Sequence, residues 1–208
     1  AGEQCVGIAF SNSPTGPFVD NSSEPFICQH SLGGTIDASP FIDADGTPYL
    51  LFKSDTNAPH INGAARLFSQ QLSSDGTTRV GEPVEITRTT ESWEKPLIEN
   101  PEMFRSEDGR LWLTYSANWW PTNSYKTGLA TCDTPLGPCT KVGPWLTSDD
   151  SSAFNGPGGL SFLQEEGRVV AVFHSWLNGV TFASNSSAAA REALFRSISF
   201  ENGLPVIR

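Results

Sequence analysis

The sequence of 208 residues predicts an all-β fold made of repeated antiparallel sheets. Glycine and proline are frequent, with 19 and 15 residues, and aromatic residues make up 11% of the chain while methionine occurs once. This balance favours short strands joined by turns and disfavours long helices. In addition, two sequence patterns recur along the chain, which indicates a repeat architecture.

The repeated unit is about 60 residues long. The segment GIAFSNSPTGPF at residues 7–18 recurs as GLATCDTPLGPC at 128–139, and FIDADGTPYLLF at 41–52 recurs at 104–115 and 162–173. Each copy of the second pattern predicts a hairpin, a strand followed by an acidic-Gly turn and an alternating apolar strand. A third strand and a Ser/Thr-Pro-x-Gly-Pro turn follow. Because one such sheet cannot bury both faces, radial stacking into a β-propeller is predicted, and a β-sandwich is the alternative.

Charge and hydropathy exclude two classes of partner. The chain has 13 basic and 23 acidic residues, a net charge of −10, which repels nucleic acid and anionic lipid surfaces. The longest apolar run, residues 169–173, is far too short to span a bilayer.

Four cysteines favour disulfides over a zinc site, because their spacing lacks a CxxC pair. We predict that Cys132 pairs with Cys139 across the Ser/Thr-Pro-x-Gly-Pro turn and that Cys5 pairs with Cys28 around the equivalent turn. Residues 21–23 and 185–187 are glycosylation sequons. Together these features predict a secreted, extracellular protein.

Two carboxylates stand at the entrances of neighbouring repeats. Asp37 lies in GTIDASPF (34–41), and Glu99 lies in PLIENPEMF (96–104). A single acid there is more often a cap or a solvated side chain, but a matched pair suits glycoside hydrolysis, which needs a proton donor and a carboxylate that activates water. Glu102 competes with Glu99 for the acid role. Three positions apart on an extended strand, the two should face opposite ways, so only one should point at the axis.

Five motifs in order resemble the family 43 glycoside hydrolases. They are IDASPFIDADG (36–46), LIENPEMF (97–104), YSANW (115–119), GPGGLS (156–161) and FHSW (173–176). The resemblance implies a five-bladed β-propeller that hydrolyses arabinose- and xylose-containing plant polysaccharides with inversion. The whole chain, residues 1–208, is then a single catalytic domain, incomplete at its N-terminus, that supplies roughly three and a half blades.

The resemblance also implies roles for the acids. Asp37 would be the auxiliary aspartate that orients the general acid and raises its pKa by like-charge proximity, and Glu99 would be the general acid. The third carboxylate of the family, the general base, belongs to the first blade, and nothing before Cys5 can supply it. We therefore expect an N-terminal segment of the same precursor, or a second copy, as a partner and the isolated chain to be inactive.

Four further residues are candidate substrate contacts. Lys53 and Asn118 are expected after strand ends near the rim, where sugar hydroxyls need partners, although solvation explains them equally well. Trp119, with Trp120 beside it, could stack on a sugar or pack between blades. His174 could act at the axis or be a hydrogen-bonded core histidine.

No metal site is predicted among these residues. Where relatives place a histidine that helps to hold an ion at the axis, this chain has Gly159, which makes calcium doubtful.

The resulting hypothesis is an exo-acting, inverting α-L-arabinofuranosidase on arabinan or arabinoxylan side chains. A β-xylosidase is the nearest alternative, and a non-catalytic sugar-binding propeller is the second. A retaining fructan hydrolase would need Cys after the acid, where this chain has Asn100.

Overall fold

The structure confirms the all-β prediction. It is a computed structural model that describes residues 2–58, 61–148, 154–165 and 168–208. These residues contain twelve β-strands and three 3-10 turns, at His30–Leu32, Ser92–Glu94 and Leu177–Gly179. None of the helices within them is long and apolar enough to cross a membrane.

The strands form three four-stranded antiparallel sheets, each built from strands consecutive in sequence. The first sheet contains β1 (Thr35–Ile42), β2 (Pro48–Ser54), β3 (Arg66–Gln71) and β4 (Val84–Arg88). The second contains β5 (Ile98–Arg105), β6 (Leu111–Ala117), β7 (Lys126–Cys132) and β8 (Cys139–Leu146). The third contains β9 (Gly158–Glu165), β10 (Arg168–Trp176), β11 (Arg191–Glu201) and β12 (Leu204–Ile207).

The three sheets meet along their first strands. Strand β1 packs beside β5, and β5 packs beside β9. Apolar side chains fill the space between successive sheets, with Leu67 of the first sheet in one buried cluster with Leu113 of the second. Phe104 of the second sheet contacts Phe162 of the third at a ring-centroid distance of 4.3 Å. Neighbouring sheets thus bury the faces that a single repeat would leave exposed.

The repeated turns have the predicted equivalence. Gly46 and Gly109 end the hairpin turns of the first two sheets with φ of 85° and 84°. The corresponding turn of the third copy, around residues 166–167, lies outside the described residues. Gly16 and Gly137, in the two Ser/Thr-Pro-x-Gly-Pro turns, have φ of 83° and 82°, and each precedes a cis proline.

Residues 4–27 form part of a further unit, because Val6 pairs with Ile27 and Phe10 with Val19 in antiparallel bridges. This segment corresponds through its turn to β7 and β8, the two outer strands of the second sheet. It packs against the first sheet, where Ile27 lies in one buried cluster with Phe52.

Both predicted disulfides are confirmed. Cys5 is bonded to Cys28, and Cys132 is bonded to Cys139. The second bond joins directly opposed residues of β7 and β8 and closes the Ser/Thr-Pro-x-Gly-Pro turn.

Candidate active site

A β-bulge shapes the start of each inner strand. The pairing register shifts between Ile36 and Ser39 in β1 and between Glu99 and Glu102 in β5. It also shifts between Gly158 and Ser161 in β9, which pair with His174 and Val172 of β10. The first bulged residue has a positive φ in every case, 55° in Asp37, 55° in Asn100 and 59° in Gly159. Asp, Asn and Gly are the residue types that accept this conformation at least cost. The same backbone feature therefore recurs three times around the inner edge.

Glu99 lies at the start of β5 between two donors. The hydroxyl of Tyr125 donates a hydrogen bond to Glu99 Oε1 at 2.7 Å, and Lys53 Nζ lies 3.3 Å from Glu99 Oε2. The side chain of Glu99 is 15% exposed, so its carboxylate is held in place yet open to one side. Such a fixed and partly accessible carboxyl group suits a catalytic acid or base.

Asp37 reaches across from β1 to the strand that carries Glu99. Its Oδ2 accepts a hydrogen bond from the backbone N–H of Asn100 at 3.1 Å. Burial raises the pKa of Asp37, the nearby charge of Glu99 raises it further, and Lys53 opposes the rise. The structure thus brings together the two carboxylates that the sequence singled out.

Glu102 also points towards the inner strands, so the prediction that only one of the two glutamates could do so is wrong. The β-bulge inserts one extra residue, so that Glu99 and Glu102 pair with Ser116 and Thr114, which are two positions apart. Ser161 of β9 donates a hydrogen bond to Glu102 Oε1 at 2.9 Å. Burial raises the pKa of Glu102, and the hydroxyls of Ser161 and Ser39 oppose the rise.

Lys53 does not follow a strand end at the rim, which corrects its predicted location. It lies within β2, is 2% exposed, and contacts Asp55 Oδ1 at 3.4 Å as well as Glu99. A lysine is almost never buried without paired charges, and here two carboxylates supply them. Its contact with a sugar stays a prediction.

Tyr125 is a site residue that the sequence analysis missed. Its buried ring stacks on His174 with centroids 5.9 Å apart and planes 2° apart. An alanine Cβ at Gly158 would lie 2.2 Å from Tyr125 Cε1, and one at Gly159 would lie 2.8 Å from His174 Cδ2. Paired glycines at the start of a strand mark such a close approach, and this was the available signal.

His174 is neutral at neutral pH. Burial, and secondarily the charge of Arg191, lowers the pKa of His174 to about 4. The imidazole lies at the inner edge beside Gly159, where it supports Tyr125. A direct contact of His174 with substrate stays a prediction.

Asn118 shapes the loop that follows β6. Its Nδ2 donates to the carbonyl of Trp93 at 3.1 Å, and its Oδ1 accepts from the backbone N–H of Trp119 at 2.8 Å. Its φ is 75°. Both polar atoms of the side chain thus have partners within the protein, and a bond to a sugar hydroxyl stays a prediction. Trp119 itself is 45% exposed at the same end of the sheet.

One group of three candidate metal ligands lies outside the inner strands. Among the described residues, three His, Cys, Asp or Glu side chains converge only at Cys5, Cys28 and His30, and the two cysteines are joined in a disulfide. Calcium takes six to eight oxygen ligands, and this set does not fit it.

A sequence profile described as Glycosyl hydrolases family 43 matches residues 1–205. The chain belongs to this family. Among solved structures, a thermostable family-43 glycoside hydrolase is 28% identical with a TM-score of 0.80, and it aligns with 96% of this chain and 65% of its own. An endo-1,4-beta-xylanase from Bacteroides thetaiotaomicron VPI-5482 is 27% identical with a TM-score of 0.78. The alignment covers 98% of this chain and 67% of the xylanase chain.

More distant solved structures share the fold. An alpha-L-arabinofuranosidase from Lactobacillus brevis is 21% identical with a TM-score of 0.72, covering 94% of this chain and 62% of its own. This family 43 chain therefore spans about two thirds of the length of these three solved structures. No curated protein matches it in sequence.

Proposed function

We propose that this family 43 chain forms most of the active site of an inverting, exo-acting glycosidase, an α-L-arabinofuranosidase of arabinose- and xylose-containing plant polysaccharides. The observation that carries the proposal is the pairing of Asp37 with Glu99, which is held by Lys53 and Tyr125 at the inner ends of two neighbouring sheets. The proposed architecture is a five-bladed β-propeller, of which the three sheets are three blades.

In this proposal Glu99 is the general acid. Its carboxyl proton goes to the glycosidic oxygen as the bond from that oxygen to the anomeric carbon breaks, so that the aglycone leaves as an alcohol. Asp37 is a positioning residue, because its carboxylate fixes the backbone N–H of Asn100, the residue directly after Glu99.

Inversion requires a second carboxylate that removes a proton from the attacking water on the opposite face of the sugar. We propose that this general base comes from a segment N-terminal to the sequence, in the same precursor or a second copy. The 208 residues alone are then expected not to hydrolyse glycosides and to regain activity when that segment is added. Full activity of a monomeric 208-residue chain would contradict this.

Of the two alternatives, one has specific support. A β-xylosidase is supported by the similarity to a solved structure named as an endo-xylanase. A non-catalytic sugar-binding protein would retain the fold but have no use for the pairing of Asp37 with Glu99. We also propose secretion, which two disulfides and the exposed asparagines of both sequons support.

The test is Glu99→Gln in the full-length protein, assayed on aryl arabinofuranosides. General acid catalysis contributes about 100- to 10,000-fold when the leaving oxygen needs a proton. The variant should therefore lose that factor with a poor leaving group and much less with an acidic phenol. Glu102→Gln is the matched control, because Glu102 lies on the same strand. Equal losses on both substrates for Glu99→Gln, or leaving-group dependence in the control alone, would overturn the assignment.

A further inference from the structure

Two loops leave the sheets at the end where Glu99 lies. Residues 118–125 join β6 to β7, and residues 177–190 join β10 to β11. Glu99 is paired with Ser116, near the last residue of β6, and His174 near the end of β10 is paired with Gly158. Both loops therefore begin beside the candidate active site.

The two loops hold each other in place. The backbone N–H of Ala183 donates to the carbonyl of Pro121 at 2.8 Å, and Trp176 Nε1 donates to the carbonyl of Thr122 at 3.3 Å. Arg191 Nη2 donates to the carbonyl of Trp120 at 2.9 Å. Side chains displayed by these loops are thus preorganised, which reduces the entropy lost when a ligand binds.

Three aromatic side chains are displayed to solvent across these loops. Trp119, Trp120 and Phe182 are 45%, 37% and 48% exposed. The ring centroids of Trp119 and Trp120 are 6.2 Å apart, and those of Trp120 and Phe182 are 5.6 Å apart, with planes inclined at 48° and 39°. We call these three rings the aromatic strip. Contiguous exposed apolar surface of this kind marks an interaction site.

Arg191 packs against one ring of the aromatic strip. Its guanidinium carbon lies 5.7 Å from the ring of Trp120 and 4.3 Å from the ring of Trp176. The loop that carries Trp119 and Trp120 ends at Tyr125, whose hydroxyl donates a hydrogen bond to Glu99 Oε1 at 2.7 Å. One loop therefore joins the aromatic strip to the residue that holds the acid.

We propose that the aromatic strip binds pyranose residues of a β-1,4-linked xylan main chain, so that the substrate is arabinoxylan rather than arabinan. A pyranose presents a flat face of C–H groups that fits an aromatic ring, whereas a furanose is smaller and puckered. Successive sugars of a xylan chain are rotated relative to one another, which suits rings inclined to each other. The identity of the hydrolysed substrate rests on the proposed function, whereas the binding of a xylan chain to the aromatic strip does not.

Binding can be tested without turnover in the full-length Glu99→Gln protein. Calorimetric titration should show that xylohexaose binds at least about tenfold more tightly than a linear arabinohexaose. Trp120→Ala and Phe182→Ala should each weaken xylohexaose binding about tenfold, from the loss of one stacked ring. Phe195→Ala is the control, because Phe195 is 59% exposed on β11 outside the aromatic strip, and its binding should not change.

Trp120→Phe separates stacking from folding, because it retains a ring and should recover most of the affinity. Equal affinity for the two hexasaccharides would overturn the assignment to a xylan main chain. Unchanged binding in the alanine variants would overturn the aromatic strip as a site. Xylohexaose binding in a wild-type protein that hydrolyses no glycoside would instead refute the proposed function and leave the aromatic strip standing.

Discussion

Gly158→Ala is the substitution that most directly tests how Glu99 is positioned. The added Cβ would lie 2.2 Å from Cε1 and 2.6 Å from Cδ1 of Tyr125. Carbon atoms in contact prefer about 3.5–4.0 Å, so the ring must move by more than about 1 Å. The backbone of Gly158 does not have a positive φ, so the substitution acts through this contact rather than through backbone strain.

The movement should break the hydrogen bond between Tyr125 and Glu99. That bond is 2.7 Å long, and an increase of about 1 Å takes it beyond hydrogen-bonding distance. A misplacement of about 1 Å can reduce turnover by about 100-fold. Overpacking should also lower the free energy of unfolding by about 1–3 kcal/mol. We therefore expect kcat on an aryl arabinofuranoside to fall by one to two orders of magnitude, roughly in line with that displacement.

Gly128→Ala is the matched control for this experiment. Its Cβ would lie 2.7 Å from Trp93 Cη2 and 2.7 Å from Tyr115 Cε2, again without a positive φ. This clash involves Trp93 and Tyr115 rather than Tyr125 and Lys53, which hold Glu99, and should reduce the melting temperature without changing kcat. If Gly158→Ala retained wild-type kcat, or if both variants lost kcat in proportion to stability, the positioning role of Tyr125 would be wrong.

The other predictions concern the buried charges around Glu99. Asp37→Asn should lower activity but raise the melting temperature at neutral pH, because the raised pKa of Asp37 means that its ionised form costs stability. This gain should vanish below the pKa that Asp37 has in the unfolded chain, and a gain that persists there would contradict its origin. Lys53→Met leaves two carboxylates without their buried cation. It should lower the free energy of unfolding at pH 7, measured by denaturant titration, by about 3–5 kcal/mol. An unchanged free energy of unfolding in Lys53→Met would contradict the role of Lys53 as the buried cation of this site.

The repeat and the disulfides were predictable because they depend on local sequence. An acidic-Gly turn between alternating strands specifies a hairpin. Because this pattern occurs in three repeats, the sequence predicted three equivalent sheets. Cys132 and Cys139 flank a turn, so their proximity followed from the hairpin. The meeting of Asp37 and Glu99 followed from their places at the entrances of successive repeats, where Asp37 corresponds to Asn100, the residue directly after Glu99.

Side-chain directions at the inner strands were not predictable from alternation. The bulge between Glu99 and Glu102 changes which residues share a face, and its signal was only the recurrence of Asp37, Asn100 and Gly159. The third copy hid this recurrence, because its hairpin register is shifted by one residue. Phe104 pairs with Trp112 in the second sheet, whereas the equivalent Phe162 pairs with Ala171 rather than with Val170.

Long-range contacts account for the remaining misses. Nothing local marks Tyr125, which lies in a polar loop, or shows that Lys53 is buried between two carboxylates. Both depend on how neighbouring sheets approach each other.

The three bulges also suggest how such a protein diversifies. A duplicated sheet inherits the bulge together with its left-handed residue, so each copy begins with the same backbone and one position that accepts Asp, Asn or Gly. In this chain that position holds an acid in the first copy, an amide in the second and no side chain in the third, where the ring of His174 fills the space. Functional divergence could thus proceed by single replacements on an unchanged framework, without any strand having to find a new partner.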